Sequence, residues 1–329
     1  MPEIRIDPLS GHRTIVAGER SRRPGGEPRC EPPEPINVER DPFAEGHEDR
    51  TPPELYAVRP GGGPPNSPGW TVRVVPNLYP ALTSDAAEPE SEQPGDGSEL
   101  FLARAAVGAH EVIINGPQSV LSLAELPREQ VLAAVEAWRE RMRVHHDDSA
   151  YVQLIVNERR EGGASLPHTH AQLYALDFVP AEVARERERA GAYTTHTMGH
   201  TLLEDVIAEE VRRGERIVAI DEEAVLLAPY ASRLPFQLML APRRPCARFE
   251  SDGVGASLLH EGLSRLARLL GSSPPLNLWV RTAPRGVEQF CWRIDIAPRL
   301  THLAGLELST GLNLNIVAPE HAASLLREV

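Results

Sequence analysis

The chain has 329 residues, 41% of them hydrophobic, and a formal net charge of -13 at pH 7. That length suits one large or two medium domains with a sizeable core. The acidic balance argues against a nonspecific nucleic-acid binder, which needs a basic surface, and leaves room for a local basic pocket. The three cysteines, Cys30, Cys246 and Cys291, are too widely spaced for a disulfide framework or a paired-cysteine metal knuckle. A reducing, cytoplasmic setting is the expectation. No apolar stretch approaches the length of a membrane span. The opening MPEIRIDPLSG lacks the basic region and apolar core of a signal peptide. Neither a membrane nor a nucleic acid is an expected partner.

In chain order, the stretch through about Pro68 is rich in Pro, Gly, Arg and Glu and reads as extended arms and loops. TVRVVP (71–76) is a strand candidate. The acidic run 84–98 reads as a solvated excursion. FLARAA (101–106) and the apolar stretch 109–114 read as a strand pair around a glycine turn. Residues 127–145 carry helical periodicity, and YVQLIVN (151–157) alternates as a strand. A glycine-containing loop follows, then HAQLYALDF (170–178) as a strand. Residues 181–213 read as helical and heavily charged. Beyond them FQLMLAP (236–242) is a strand, 256–271 a helix, and LNLWVRT (276–282) and FCWRIDIAP (290–298) are strands.

The order strand, helix, strand, turn, strand therefore occurs twice, and an internal duplication of an α+β unit accounts for it. In that alignment HTHAQ of the first copy faces CWRID of the second. Coincidence among short strands is the competing account.

Chemistry concentrates at His168, His170 and Gln172. On a strand, period two puts all three on one face. The preceding EGGASLP (161–167) has glycines that permit close backbone approach to a ligand, and consecutive loop amides can receive phosphate oxygens. A neutral imidazole is a competent nucleophile at phosphorus, and Gln172 and Ser165 are suitable donors for developing charge. Two bland readings stand beside this one. The residues suit polar positions on an edge strand, and His168 with His170 suits half of a metal site, which two ligands do not complete.

The segment GGASLPHTHAQ, preceded by Asn157, resembles the active-site segment of the galactose-1-phosphate uridylyltransferase family, within the histidine-triad superfamily. GERSRRP (18–24), DPFAEGHEDRTPPE (41–54), VVPNLYPAL (74–82), GAHEVII (108–114) and FCWRIDIAPRLTHLAGLELSTG (290–311) match further motifs in order. The resemblance implies an α+β fold of tandem duplicated histidine-triad-like domains, each an antiparallel sheet with packed helices. Residues 1–180 would hold the catalytic strand, and 181–329 a second copy without the His-x-His pair. It implies that His170 attacks the α-phosphorus of a nucleoside diphosphate sugar, releases a sugar 1-phosphate, and passes the nucleotide to a second acceptor in ping-pong fashion. By the same resemblance Gln172 contacts the transferred phosphoryl group. Ser165, Gly163 and Ala164 form the phosphate loop, Asn157 and Asn77 lie near the nucleotide, and Arg20 and Arg23 approach its phosphates. A homodimer is implied as well. Asn77 beside Pro76 also suits a plain turn, and the arginines also suit solvated ion pairs.

The chain departs from the family at its metals. Where many members hold zinc with two cysteines and two histidines, it has Asp41, Ala44, Ser119 and His168. His47 is a weak substitute. At a second metal site the His-x-His pair is replaced by Cys291 and Arg293, and Pro245 stands for another histidine, leaving Glu186. No metal and no cofactor is expected, with packing by Phe290 and Trp292 in compensation. The C-terminal segment also departs from the usual sugar-contacting pattern, which opens base and sugar specificity. A nucleotide-sugar phosphorylase or hydrolase and a non-catalytic sugar-nucleotide binder are the alternatives.

Overall fold

Apolar side chains at every second position make a strand that can bury one face and leave the other for chemistry. The computed structural model describes residues 1–22, 30–85 and 103–329 and is built on such strands. In chain order they are β1 (Glu3–Ile6), β2 (Arg13–Val16), β3 (Tyr56–Val58), β4 (Val72–Pro76) and β5 (Gly108–Ile114). Helix α1 (Arg128–His146) leads to β6 (Tyr151–Glu158) and β7 (His170–Leu176). Helices α2 (Ala181–His196) and α3 (Leu202–Arg213) follow, then β8 (Ile217–Ile220), β9 (Ala224–Leu227) and β10 (Leu238–Pro242). Helix α4 (Ala256–Leu270), β11 (Leu276–Arg281), β12 (Arg293–Pro298), α5 (Gly305–Thr310), β13 (Asn313–Asn315) and α6 (Pro319–Arg327) complete the chain.

Ten strands form one antiparallel sheet in the order β3-β4-β5-β7-β6-β11-β12-β10-β9-β8. Each half, read from its outer edge inward, has the same strand order, and α1 and α4 occupy equivalent places in the two. The halves join where β6 pairs with β11. The register supports the expected repeat. Val156 faces Ala171 in the first half, and Val280 faces Ile294 in the second, so His170 corresponds to Arg293 and Gln172 to Asp295. A small sheet of β1, β2 and β13 lies apart.

One face of the large sheet is apolar throughout. Val152, Leu154, Val156, Ala171 and Leu173 from the first half join Leu276, Leu278, Val280, Ile294 and Ile296 from the second. Helices α1, α4 and α6 cover them with Val135, Trp138, Met142, Leu259, Leu266 and Leu326. Trp292 belongs to this core, meets Phe249 edge to face at 5.1 Å, and donates its indole N–H to Asp252. Helix α3 packs Leu203 and Ile207 on the opposite face of the second half, against Val225, Leu227, Met239 and Cys291. Burial there pushes the Cys291 thiol up to about 12, so it behaves as a packing group.

Three sequence expectations change. Residues 103–106 form no strand, and Phe101 and Leu102 lie outside the described residues; the chain becomes extended only from Gly108. A side chain at Gly108 would meet the Ala175 carbonyl oxygen at 2.1 Å, so glycine permits that pairing. The charged stretch 181–213 is two helices. Thr197 bonds back to the Tyr193 carbonyl, and Met198 and Gly199 take positive φ of 57° and 123°, which ends α2. The N-terminal stretch read as loops contains β1, β2 and β3, whose three or four residues are too short to show periodicity.

The loop after β6 is pressed against β11. A Cβ at Gly162 would lie 2.6 Å from the Leu276 carbonyl oxygen, whereas one at Gly163 meets nothing but inherits a φ of +90°. Gly162→Ala is expected to lower unfolding stability by about 1–3 kcal/mol through overpacking against backbone. Denaturant melts check it, and a wild-type midpoint would mean that the loop does not sit on β11.

Candidate active site

His170 opens β7 on the face away from the helices and is 4% exposed. Its Nδ1–H donates to the His168 carbonyl at 2.7 Å. The proton is thereby assigned to Nδ1, and Nε2 keeps its lone pair, with no protein partner among the described residues. Burial pushes the His170 pKa down, which favours the neutral ring. Phe43 sets its ring edge-on at 5.2 Å and helps shape this surface with Val112 and Ile114.

His168 precedes the strand and is fully buried. Its Nδ1 is 2.7 Å from Asp41 Oδ2, and its Nε2 is 2.8 Å from the Gly116 carbonyl. Both ring nitrogens are thus engaged, one by a carboxylate and one by a backbone carbonyl. Asp41 also accepts from Ser119 Oγ at 2.6 Å and from the Phe43 amide at 2.9 Å. Burial pushes its carboxyl up, but those bonds outweigh burial and hold it below the ordinary value. Three of the four positions that carry zinc in other family members thus form a closed hydrogen-bond cluster, and the fourth, Ala44, offers only a methyl group. The set does not fit zinc, which needs lone pairs that His168 has already committed. His47 turns its Nδ1 to the Asp41 backbone carbonyl, not to the carboxylate.

Gln172 is half-buried two residues along β7. Its Oε1 accepts from Tyr174 OH at 2.9 Å and lies 3.1 Å from His110 Nε2. The Ala81 amide donates to His110 Nδ1, so the His110 proton sits on Nε2 and points at Gln172. Burial lowers the His110 pKa and favours this neutral tautomer. With its oxygen held twice, the Gln172 NH2 is left to face outward as a donor. His110 also stacks on Tyr174 at 4.1 Å. Asn77 lies against His110, with Nδ2 3.1 Å from Nε2 and its backbone amide on the His110 carbonyl. His110 and Tyr174 were not singled out from the sequence. The alternation of GAHEVII beside HAQLYAL was the available signal, because cross-strand pairing puts His110 opposite Tyr174.

The glycine loop differs in part from expectation. The amides of Gly162, Gly163 and Ala164 are used inside the turn, on the carbonyls of Arg159 and Arg160. The donors this loop leaves free for an anion are Ser165, which is exposed, and the amides after Ala164. Asn157 faces the same side as His170, and its Oδ1 accepts from Asn277, which also donates to the Gly162 carbonyl. Arg20 is not brought to His170 within the chain. It lines a separate cavity with Val16, Phe236, Leu270 and His321. Arg23 lies outside the described residues.

A second layer lies beneath. Glu158 is buried and accepts from Ser122 Oγ, the Leu123 amide and Thr169 Oγ1. Thr169 also accepts from Asn115, whose Oδ1 takes the Trp138 indole N–H. The residue between the two histidines is therefore tied to the helix core. In the second half, Glu186 meets Arg293 in a two-pronged pair at 2.9 and 3.0 Å, and Arg293 also holds Asp295. The guanidinium neutralises the carboxylates, and this set does not fit a metal ion either.

Burial raises the Glu158 carboxyl from 4.5 to about 7. A raised acid favours the fold while protonated, so its contribution is complete below about pH 4.5 and is lost as pH rises through about 7. Glu158→Gln, which mimics the protonated acid, is expected to flatten the decline of melting temperature across that window. An unchanged pH profile would remove Glu158 as its source. Asp41→Ala leaves the buried His168 Nδ1, Ser119 Oγ and the Phe43 amide without their partner and is expected to cost at least about 1–3 kcal/mol in chemical denaturation. A chelator should leave the wild-type melting temperature unchanged; a drop would mean that a metal holds this corner.

The sequence matches the profile of the galactose-1-phosphate uridyl transferase N-terminal domain over residues 2–180. It is 31% identical to an ADP-glucose phosphorylase of Arabidopsis thaliana, covering 100% of this chain and 93% of that protein. It is 29% identical to a galactose-1-phosphate uridylyltransferase of Rattus norvegicus, over 87% of this chain and 73% of that one. The crystal structure of an ADP-glucose phosphorylase from Arabidopsis thaliana with bound ADP-glucose superposes with a TM-score of 0.80 at 27% identity, covering 100% and 99% of the two chains. The duplicated antiparallel sheet, the buried HxHxQ strand and the matched N-terminal region together make this chain a member of the galactose-1-phosphate uridylyltransferase family, divergent at its metal-ligand positions.

Proposed function

We propose that the protein transfers a nucleoside monophosphate from a nucleoside diphosphate sugar to a phosphate-bearing acceptor through His170. The observation that carries this is the Nδ1–H bond to the His168 carbonyl, which leaves Nε2 as the nucleophile. In the first displacement Nε2 bonds the α-phosphorus, and the bridging P–O bond breaks to release sugar 1-phosphate. The ring becomes positive, and the His168 carbonyl dipole stabilises it through the retained Nδ1–H. In the second, an acceptor oxygen bonds the same phosphorus and the P–N bond breaks. The Gln172 NH2 and the Ser165 region donate to the non-bridging oxygens, where charge accumulates.

A sugar 1-phosphate acceptor yields a new nucleotide sugar, and inorganic phosphate yields a nucleoside diphosphate. Full-length similarity to an ADP-glucose phosphorylase favours the phosphate acceptor and adenine. Similarity to uridylyltransferases supports the sugar phosphate. In this reading residues 1–180 carry the transfer and 181–329 complete the sheet. The protein acts as a homodimer, in which Arg20 and Arg23 of one copy serve the site of the other. No helix among the described residues is long and apolar enough to cross a membrane.

Intact mass after mixing with UDP-glucose, ADP-glucose or GDP-glucose tests the proposal. One donor should add a nucleoside monophosphate to the wild type and nothing to His170→Ala. Discharge of the adduct by phosphate rather than by a hexose 1-phosphate decides for phosphorolysis. Binding of a sugar nucleotide with no adduct would sink covalent transfer and leave a binding protein.

A further inference from the structure

The face of the sheet that holds His170 continues across the join into the second half. Val112, Gln172, Ile155, Trp279 and Asp295 are successive cross-strand partners in one row. Gln172 and Asp295 are three strands apart, about 14 Å at ordinary strand spacing. Over the second-half end of this row lies a cavity of about 240 Å³, lined among others by Arg233, Gln237, Trp279, Arg281, Arg293 and Asp295.

The polar groups around this cavity are unevenly satisfied. The acceptors are taken: Glu186 holds Arg293 with both oxygens, and Asp295 holds its Nε. The donors are not. Trp279 Nε1 and Arg281 Nε are buried without a hydrogen-bond partner, the latter 3.5 Å from Glu186 Oε1. Gln237 is 6% exposed, and its oxygen accepts from the Arg233 amide, which leaves its NH2 group unused. The Arg233 guanidinium lies over the Trp279 ring at 5.6 Å and has no hydrogen bond or ion pair among the described residues. Arg281 and Arg293 offset Glu186 and Asp295, while Asp7 and Glu182, also in the lining, are engaged by Leu9 and Ser10 and by His12 and Arg185, so Arg233 is paired with none of the four carboxylates. Unmet buried donors cost free energy until an acceptor meets them. A ligand that supplies only acceptors and negative charge fits this imbalance better than a polyol, whose hydroxyl protons would find the carboxylates already occupied.

We propose that this cavity is a second oxyanion site, which takes inorganic phosphate or the phosphate of a monoester on Arg233 and Gln237, beside Trp279. It is separate from the His170 site and does not depend on the activity proposed above. Arg233 leaves the indole face to meet the anion, and the Trp279 environment changes with it.

Tryptophan fluorescence of the full chain during titration with inorganic phosphate, glucose 1-phosphate and glucose tests this. Saturable changes are expected with the first two and none with glucose. Tighter binding of glucose 1-phosphate would identify a monoester as the ligand, and equal binding would identify free phosphate. Trp279→Phe should abolish the signal. Arg233→Ala should weaken binding at least about tenfold, the loss of a charge-assisted contact, with Arg233→Lys in between. The His170→Ala protein should titrate like wild type. No phosphate-dependent change in the folded wild type, a signal that survives in Trp279→Phe, or unaltered affinity in Arg233→Ala would each overturn the site. So would an equal response to glucose. Loss of nucleotide transfer alone would leave this proposal standing.

Discussion

The bond from His170 Nδ1–H to the His168 carbonyl is the contact on which the rest of the first half depends. It selects the tautomer, leaves Nε2 without a protein partner among the described residues, and depends on the placement of the His168 backbone. Asp41 and the Gly116 carbonyl fix that placement by engaging the two nitrogens of the His168 ring, and Ser119 in turn donates to Asp41. A hydrogen-bonded cluster, with no cysteine in it, holds this corner of the fold. The arrangement is demanding, because a buried polar group left without its partner is costly.

Behind the histidines, Thr169 turns to the opposite face and joins Glu158, Asn115 and Trp138. The strand that carries His170 is thus held from both sides, by a polar cluster in front and by a polar thread into the apolar core behind. Trp138 is fully buried between α1 and the sheet, so packing of that helix and placement of His170 are linked through a few hydrogen bonds. Close-packed interiors transmit such constraints over several residues.

The two halves repeat strand order, helix placement and register, yet only the first carries the His-x-His pair. Where the first half has His170 and Gln172, the second has Arg293 and Asp295, and Glu186 from α2 closes over them. A guanidinium offers no nucleophilic lone pair, and its charge is met by the two carboxylates. The same scaffold occurs twice, and side-chain choice at two positions of one strand separates a neutral imidazole and amide from an ion-paired cluster.

Much of this was legible in the chain. Period-two runs marked β4, β6, β7, β11 and β12, and helical spacing marked α1 and α4 to within about a residue or two. Motif order pointed to His170, Gln172 and the repeat. Short strands such as β8 and β9 escaped, because four residues cannot establish a period. The break at Met198 and Gly199 was hidden in a charged run that resembles one helix. The sequence by itself determined the local pattern, the HxHxQ segment and the absence of cysteine ligands, since these depend on residues a few positions apart. Only the tertiary structure decided that Asp41, 127 residues away, holds His168, that His110 orients Gln172, and that Arg20 lies elsewhere in the chain. Those contacts depend on which strands become neighbours, and local spacing carries no record of distant pairing.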